Sequence, residues 1–311
     1  MADQSNKHLS RPFRIRMWGW WLLVSVVWVV FCFVKVQTVR RWGKRLAHVF
    51  KRIHPKRFNV IRLNLKLAFP DMDPAERERL AVRNLEETGA YFLETAYVHL
   101  HGAEEILKNS IVRGREVLDI ALADGKNVLL FGAHYTCLDC CGTVMGHDVP
   151  VDVIVRHQNA VVANYLIARY RKQHFRSAIH RDDRNALIKA FQDNSSQRVI
   201  WLAPDQDFGH RRSLFVPFLG VEQTATLASV SRIVQRYDMN PLFIEFSYDD
   251  ESNKWVIEYQ PIPDFPTDDQ HANATRLNRI IGESVCRKPH QYYWVHRRFK
   301  SLADGSIRSY Q

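Results

Sequence analysis

At 311 residues the chain suits one substantial core rather than two large domains. A hydrophobic content of 46% excludes general disorder, and a formal net charge of +11 points to an anionic partner: a membrane surface, a phosphorylated substrate or nucleic acid. The five cysteines (Cys32, Cys137, Cys140, Cys141 and Cys286) are odd in number, with three crowded into five positions. That pattern makes no disulfide framework and fits a reducing compartment.

Residues 1–16 form a basic tail containing Arg11, Arg14 and Arg16. Residues 17–34 (MWGWWLLVSVVWVVFCFV) carry no charge. Eighteen such residues sit at the short end of what can span a hydrocarbon core of about 30 Å. Trp18, Trp20 and Trp21 crowd one end, where indole rings favour the membrane interface. A cleaved signal peptide would have a shorter apolar run and a small-residue cleavage site, whereas a basic segment follows here. A buried core helix is opposed by Arg and Lys on both flanks. Residues 35–57 hold nine Lys/Arg and no Asp/Glu. This larger cluster, C-terminal to the run, predicts an uncleaved anchor with a cytoplasmic body behind it. The three arginines ahead of the run leave a tilted or half-inserted anchor as the alternative. With an apolar run adjacent, anionic lipid is a nearer polyanion for residues 35–57 than nucleic acid, each basic residue contributing on the order of 1 kcal/mol. A solvated helix face is the plainer reading of part of this segment.

From residue 58 to 311 the pattern is that of one domain. Asp73 before Pro74 is an N-cap with proline at the first helical position, which predicts a long helix to about Leu100, with Gly89 as a place to break it. Its aromatic residues Tyr91, Phe92 and Tyr97 are expected in the core. A short helix over 116–123 precedes a buried strand at 126–133, a further apolar run at 151–155 and helices at 160–173 and 183–192. Another buried strand follows at 198–203. The pattern continues with a helix at 224–237, strands at 241–247 and 254–260, a helix at 270–287 and a last strand at 291–295. Strands alternating with helices argue for an α/β domain with a mostly parallel sheet.

His134 and Asp139 stand in GAHYTCLD (132–139), where the first strand finishes and a helix begins. That is a usual address for catalytic groups in open α/β sheets. A histidine takes a proton near neutral pH, and a carboxylate five residues on can fold back to orient the ring. The two meet if a loop enters the helix; if the helix starts at His134 itself, they diverge. Taken alone the spacing is weak, since a histidine is more often a structural hydrogen-bonder. After the strand ending at Ala203, Pro204-Asp-Gln-Asp-Phe-Gly209 places Asp205 and Asp207 where they can hold a sugar hydroxyl or a cation, or close a plain acidic turn. Val216-Pro-Phe-Leu-Gly220 is followed by Thr224 and Thr226, read as caps of the next helix. Among many basic residues, Arg156, Arg169, Arg297 and Arg298 are candidates for phosphate contact, and Arg156 ends a strand as His134 does. Cys137 and Cys140 have C-x-x-C spacing, but no second pair completes four ligands, so no metal is expected and these cysteines read as small buried hydrophobes.

Together these segments resemble the late acyltransferases of lipid A biosynthesis, the lauroyl/myristoyl transferase family. The resemblance is carried in order by the N-terminal apolar run, Arg62-x-Asn64 with Ala68-Phe-Pro70, GAHYTCLD and VIVRHQN (153–159). It continues through IHRDDRNALIKAF (179–191), WLAPDQDFG (201–209), VPFLGVEQTAT (216–226), QYYWVHRRFK (291–300) and the Gly305 to Tyr310 tail. It implies a glycerolipid-acyltransferase-like α/β domain, with a mostly parallel mixed sheet flanked by helices and one membrane-anchor helix in front, at the bacterial inner membrane. It also implies acyl carrier protein as donor, a hydroxyl on an acyl chain of a Kdo-bearing bisphosphorylated lipid A precursor as acceptor, and no cofactor and no nucleic acid. In that scheme His134 is the base and Asp139 holds its tautomer. Arg156 faces the acceptor's phosphate or the oxyanion, and Asp205 and Asp207 orient the glucosamine. Aspartate rather than glutamate at 139 leans toward a lauroyl-type step. No serine lies in a G-x-S-x-G elbow, so transfer is expected to be direct, without an acyl-enzyme. The chain departs from the family pattern at His157 and Asn159 after Arg156, at Gly282 with Glu283 beside it, and in its clustered cysteines.

Overall fold

A computed structural model describes residues 17–156, 161–193 and 197–310. The basic tail 1–16 and the positions His157 and Asn159 lie outside the described residues.

The apolar run folds as α1 (Trp18–Phe31), then turns, and the basic segment continues as α2 (Val36–Ile53) and α3 (Pro55–Ala68). No helix among the described residues is long and apolar enough to cross a membrane. With 14 residues α1 reaches only about 21 Å at 1.5 Å per residue, against a hydrocarbon core of about 30 Å. The described residues thus give the expected spanning anchor no support and show a short apolar helix in its place. The chain turns because α2 docks one face, Val36, Val39, Arg40, Gly43 and Ala47, against the protein. Its partner is α4 (Pro74–His101), which Asp73 caps by accepting from the backbone N–H of Ala75 and Glu76. This helix runs unbroken through Gly89. A Cβ on Gly43 would meet the Gly89 carbonyl, so both glycines are there for close approach of the two backbones. Arg40 leaves the basic skirt altogether: it is buried, with Nη1 3.0 Å from Glu94 and Nη2 on Glu87, while Lys44 reaches Glu87 at 2.8 Å.

After α5 (Glu104–Lys108), the α/β body has strands β1 (Ser110–Arg113), β2 (Val128–Phe131), β3 (Val151–Val155), β4 (Ser177–His180), β5 (Val199–Leu202), β8 (Asn240–Asp249) and β9 (Lys254–Pro261). They form a seven-stranded sheet in the order β1-β9-β8-β2-β5-β3-β4. Pairing is parallel from β8 through β4, and β9 runs antiparallel to β8. The mostly parallel mixed sheet is thus present. Helices α6 (Arg115–Ala123), α7 (Leu138–Asp148), α8 (Val161–His174), α9 (Arg184–Gln192) and α11 (Gln270–Arg287) connect and cover it. Strands β2 and β5 are buried apolar runs at the centre, as a sheet covered on both faces requires.

Two expected elements differ. Residues 224–237 are not one helix: β7 (Val221–Leu227) pairs with β6 (Ser213–Phe218) as an antiparallel hairpin, and only α10 (Val230–Arg236) is helical. Hairpin pairing and burial of Thr224 and Thr226 in the strand outweigh the helical reading of that window; Thr226 Oγ1 accepts from Asn278 at 2.8 Å rather than capping a helix. Residues 291–295 form no strand. They follow a short 3-10 turn, Pro289–Gln291, and are held chiefly by single bonds, among them Asn84 Nδ2 to the Tyr292 carbonyl at 2.6 Å and Asn64 Nδ2 to the Trp294 carbonyl at 2.7 Å.

Candidate active site

Strands β2 and β5 are adjacent, parallel and in register, with Phe131 opposite Leu202. Each leaves the sheet at the same edge. Three residues beyond those partners stand His134 and Asp205, so neighbouring strand ends bring a histidine and a carboxylate together from positions 71 apart in sequence. Asp205 grips the histidine twice. Its Oδ2 accepts from the His134 backbone N–H at 2.9 Å, and its Oδ1 lies 2.6 Å from Nδ1. With the carboxylate ionised, Nδ1 must carry the hydrogen, which leaves Nε2 with a free lone pair. The Asp205 side chain is 1% exposed and that of His134 is 23% exposed, so the orienting group is sealed while the ring reaches an accessible surface.

Burial alone would raise the Asp205 carboxyl. The His134 imidazole, through charge and both hydrogen bonds, and Arg298, through charge, outweigh it and hold the group down at about 2. Nearby His296 is pushed the other way, to about 4, first by burial and then by the charge of His134. Gly132 is needed for packing: a Cβ there would lie 2.5 Å from Trp201 Nε1, and the Trp201 ring stands edge-on to His134 at 6.3 Å.

Asp139 takes a different place. Helix α7 begins at Leu138, late enough for Asp139 to turn back, yet the ring nitrogen is already occupied by Asp205. Asp139 Oδ2 accepts instead from Thr95 Oγ1 at 2.8 Å and Tyr91 Oη at 3.4 Å, with His99 Nε2 at 4.0 Å. Tyr91, Thr95 and His99 are four residues apart and so share one face of α4. Arg171, lowered by burial, also feels the Asp139 charge. The sequence pair His134–Asp139 is therefore corrected: the orienting carboxylate is Asp205, and Asp139 belongs to a neighbouring polar cluster. Tyr293 links the two, its N–H donating to the His134 carbonyl at 2.9 Å and its ring meeting Tyr91 at 5.6 Å.

The remaining candidates separate by burial. Asp207 is engaged within the fold, accepting from Gly209 N–H at 2.8 Å and from the Ser301 N–H at 2.6 Å and hydroxyl at 2.8 Å, bonds that tie its loop to the C-terminal segment and lend no support to its reading as a sugar ligand. Arg156 is exposed at the end of β3, on the far side of β5 from β2, hence at the same sheet edge as His134 and about 10 Å across. Arg169 is exposed on α8, and Arg297 is exposed with its guanidinium 5.6 Å from the Tyr310 ring centre. Arg298 is buried and cannot meet a phosphate at the surface. Cys137, Cys140 and Cys141 are free thiols inside the core, and burial pushes Cys140 and Cys141 up. Among the described residues, Glu87, Asp250 and His290 bring ligand atoms within 4.8 Å of one another, but Lys44 already shares both carboxylates. Thr95 and His99 escaped the sequence reading and Tyr91 was expected only in the core, although the four-residue spacing of the three was a signal.

The chain matches the family of bacterial lipid A biosynthesis acyltransferases over residues 6–301. It is 28% identical to the lipid A biosynthesis lauroyltransferase of Escherichia coli (strain K12) over 291 residues, covering 93% of this chain and 94% of that one. The palmitoleoyltransferase of the same strain is also 28% identical over 291 residues, 93% of this chain and 91% of its own, and the myristoyltransferase 26% over 254 residues, 80% and 77%. With the match running through nearly the whole chain, and with a buried carboxylate holding a histidine at the sheet edge, the protein belongs to the bacterial lipid A biosynthesis acyltransferase family.

Proposed function

We propose that this acyltransferase moves a fatty acyl group, of lauroyl type, from acyl carrier protein to a hydroxyl on an acyl chain of a Kdo-bearing lipid A precursor. The observation that carries the reading is the His134–Asp205 pair, with Nδ1 fixed on the carboxylate and Nε2 left free. Nε2 takes the proton of the acceptor hydroxyl as its oxygen attacks the thioester carbonyl. The C–O bond forms, the C–S bond breaks, and the imidazolium returns its proton to the departing thiolate. Asp205 stabilises the imidazolium between these steps. Arg156, exposed at the same edge, is the side chain for the acceptor's phosphate or the oxyanion, and Arg169 and Arg297 are further exposed cations for an anionic acceptor. The lauroyl assignment rests on the aspartate at 139; relatives named for three different acyl chains match at 26–28% and do not separate them.

The reading also places the protein on the cytoplasmic face of the inner membrane, held by insertion into one leaflet. Exposed Trp18, Trp20, Leu22, Leu23 and Trp28 on α1, and Trp42, Leu46, Val49, Phe50 and Ile53 on α2, support attachment of this kind. The α2 residues recur at 42, 46, 49, 50 and 53, one helical stripe beside Arg41, Arg45, Lys51 and Arg52. That composition suits a helix lying in an anionic interface.

The test is acyl transfer by purified protein from lauroyl-acyl carrier protein to a tetraacylated, Kdo-bearing acceptor, read by product mass. His134→Ala should lower the rate by about 10²–10⁴ while vesicle binding persists. A His134→Ala protein that transfers at the wild-type rate refutes the mechanism. Release of free fatty acid with no acylated product marks a hydrolase.

A further inference from the structure

Asn64 on α3 and Asn84 on α4 are fully buried asparagines inside helices. A buried amide must be hydrogen-bonded, and asparagine is a poorer helix former than the leucine or alanine that would fill a core position. Their partners account for both. Asn84 Nδ2 donates to the His290 carbonyl at 2.9 Å and the Tyr292 carbonyl at 2.6 Å. Asn64 Nδ2 donates to the Trp294 carbonyl at 2.7 Å and the His296 carbonyl at 2.6 Å. Each amide spends both hydrogens on carbonyls two residues apart, so the pair clasps alternate carbonyls along one strap, residues 290–296. Asn64 Oδ1 is fixed in turn by the Tyr310 hydroxyl at 2.8 Å, which itself accepts from the Phe299 N–H at 3.0 Å.

The other side of the strap meets the chain leaving β2. The Gln291 carbonyl accepts from Thr136 N–H at 2.7 Å and Thr136 Oγ1 at 3.1 Å, and Tyr293 N–H donates to the His134 carbonyl at 2.9 Å. The Tyr292–Tyr293 peptide group is therefore gripped at both ends: Asn84 donates to its C=O, and His134 accepts its N–H. Hydrogen bonds in series polarise one another in a dry interior. Asn64 takes the carbonyls that follow, so Tyr293 stands between the two clasps. Asn84 also shares a face of α4 with Tyr91 and Thr95, the donors to Asp139, so one helix face sets both the strap and the polar cluster beside the base.

We propose that Asn84 and Asn64 are positioning residues that act on the backbone of His134 through the Tyr292–Tyr293 peptide group. Asp205 fixes the ring and the backbone N–H of His134, and the clasped strap fixes its carbonyl. Held at these three points, the residue keeps Nε2 where the acceptor hydroxyl must arrive. Loss of a clasp frees the carbonyl, and a displacement of the base on the order of 1 Å costs about 10²-fold in rate. The inference rests on the reading of His134 as the base.

In full-length protein, Asn84→Ala should lower kcat by about tenfold to a hundredfold with KM kept within about threefold. It should also shift or broaden the low-field NMR signal of the His134 Nδ1 hydrogen, a readout that needs no turnover. Asn64→Ala, whose carbonyls lie farther along the strap, should do the same with a loss of about threefold to tenfold. Asn278→Ala supplies the comparison. Asn278 is also buried and its Nδ2 also joins two acceptors, the Pro217 carbonyl at 2.9 Å and Thr226 Oγ1 at 2.8 Å, but these belong to the β6–β7 hairpin. Its loss should lower the urea midpoint as the clasp variants do, while kcat stays within about twofold and the His134 signal does not move. Should Asn84→Ala fail to fold, Asn64→Ala and Tyr310→Phe, which removes only the hydroxyl that fixes Asn64, carry the same comparison. An unmoved signal in the clasp variants, with kcat falling no further than in Asn278→Ala, would mean structural residues and overturn the proposal. A moved signal alongside a fully active His134→Ala would uphold the clasp on the His134 backbone and overturn the base assignment instead.

Discussion

Asp205 and Asp139 both approach His134, one across the sheet and one along the chain. The nearer in sequence is the one that does not hold the ring. Asp205 is sealed at 1% exposure and gives both oxygens to His134, whereas Asp139 is 24% exposed and spends its Oδ2 on α4 donors. The difference lies in what fixes each carboxylate. Register between two parallel strands sets Phe131 opposite Leu202 at their shared end, so the segments that follow leave the sheet side by side. A helix start five residues on is free to turn toward whatever donors a neighbouring helix offers. The geometry of the His134–Asp205 pair is therefore inherited from the sheet, and the residue spacing along one segment is a weaker constraint.

Perturbing each carboxylate in turn should break or sharpen this contrast. Asp205→Asn should have the largest effect, lowering kcat by about 10³–10⁴ because an amide lets the imidazole take the wrong tautomer and leaves its charge unpaired. Asp139→Asn, assayed alongside, should lose on the order of tenfold to a hundredfold, since it disturbs the α4 cluster and only indirectly the base. Equal losses would erase the distinction. Gly132→Ala should then cost about 1–3 kcal/mol in urea unfolding and several-fold in kcat, because its Cβ displaces the Trp201 indole beside His134. The smallest effect concerns pH. His296, held at about 4 against an ordinary 6.5, stays neutral in the fold while the unfolded chain takes up a proton across that window. Stability should thus fall as pH drops from about 6.5 toward 4, by on the order of 1 kcal/mol for this residue, and His296→Asn should flatten the urea midpoint over that range.

Much of the fold was legible in the sequence because alternating buried runs and helical windows admit few arrangements. The Asp73–Pro74 start, the long helix after it and the 270–287 helix follow from caps and periodicity that act locally. The misreadings have nonlocal causes. The 17–34 run has the composition of a span, but docking of α2 on α4 turns the chain after Phe31. Val221–Leu227 is a strand because β6 lies beside it, and 291–295 is a strap because Asn64 and Asn84 reach it from distant helices. At the site, His134 was visible from its address at a strand end. Its partner was not, because Asp205 is separated from it by strands, helices and 71 positions, and only strand order places it next door. Arg298 shows the same limit: nothing local distinguishes it from the exposed Arg297 beside it.

The most direct measurement of the central claim is the low-field proton NMR signal of the His134 Nδ1 hydrogen, followed in full-length wild type, Asp205→Asn and Asp139→Asn proteins. A hydrogen donated to Asp205 should give a signal that survives Asp139→Asn and disappears or moves sharply upfield in Asp205→Asn. A signal lost in Asp139→Asn and retained in Asp205→Asn would contradict the account.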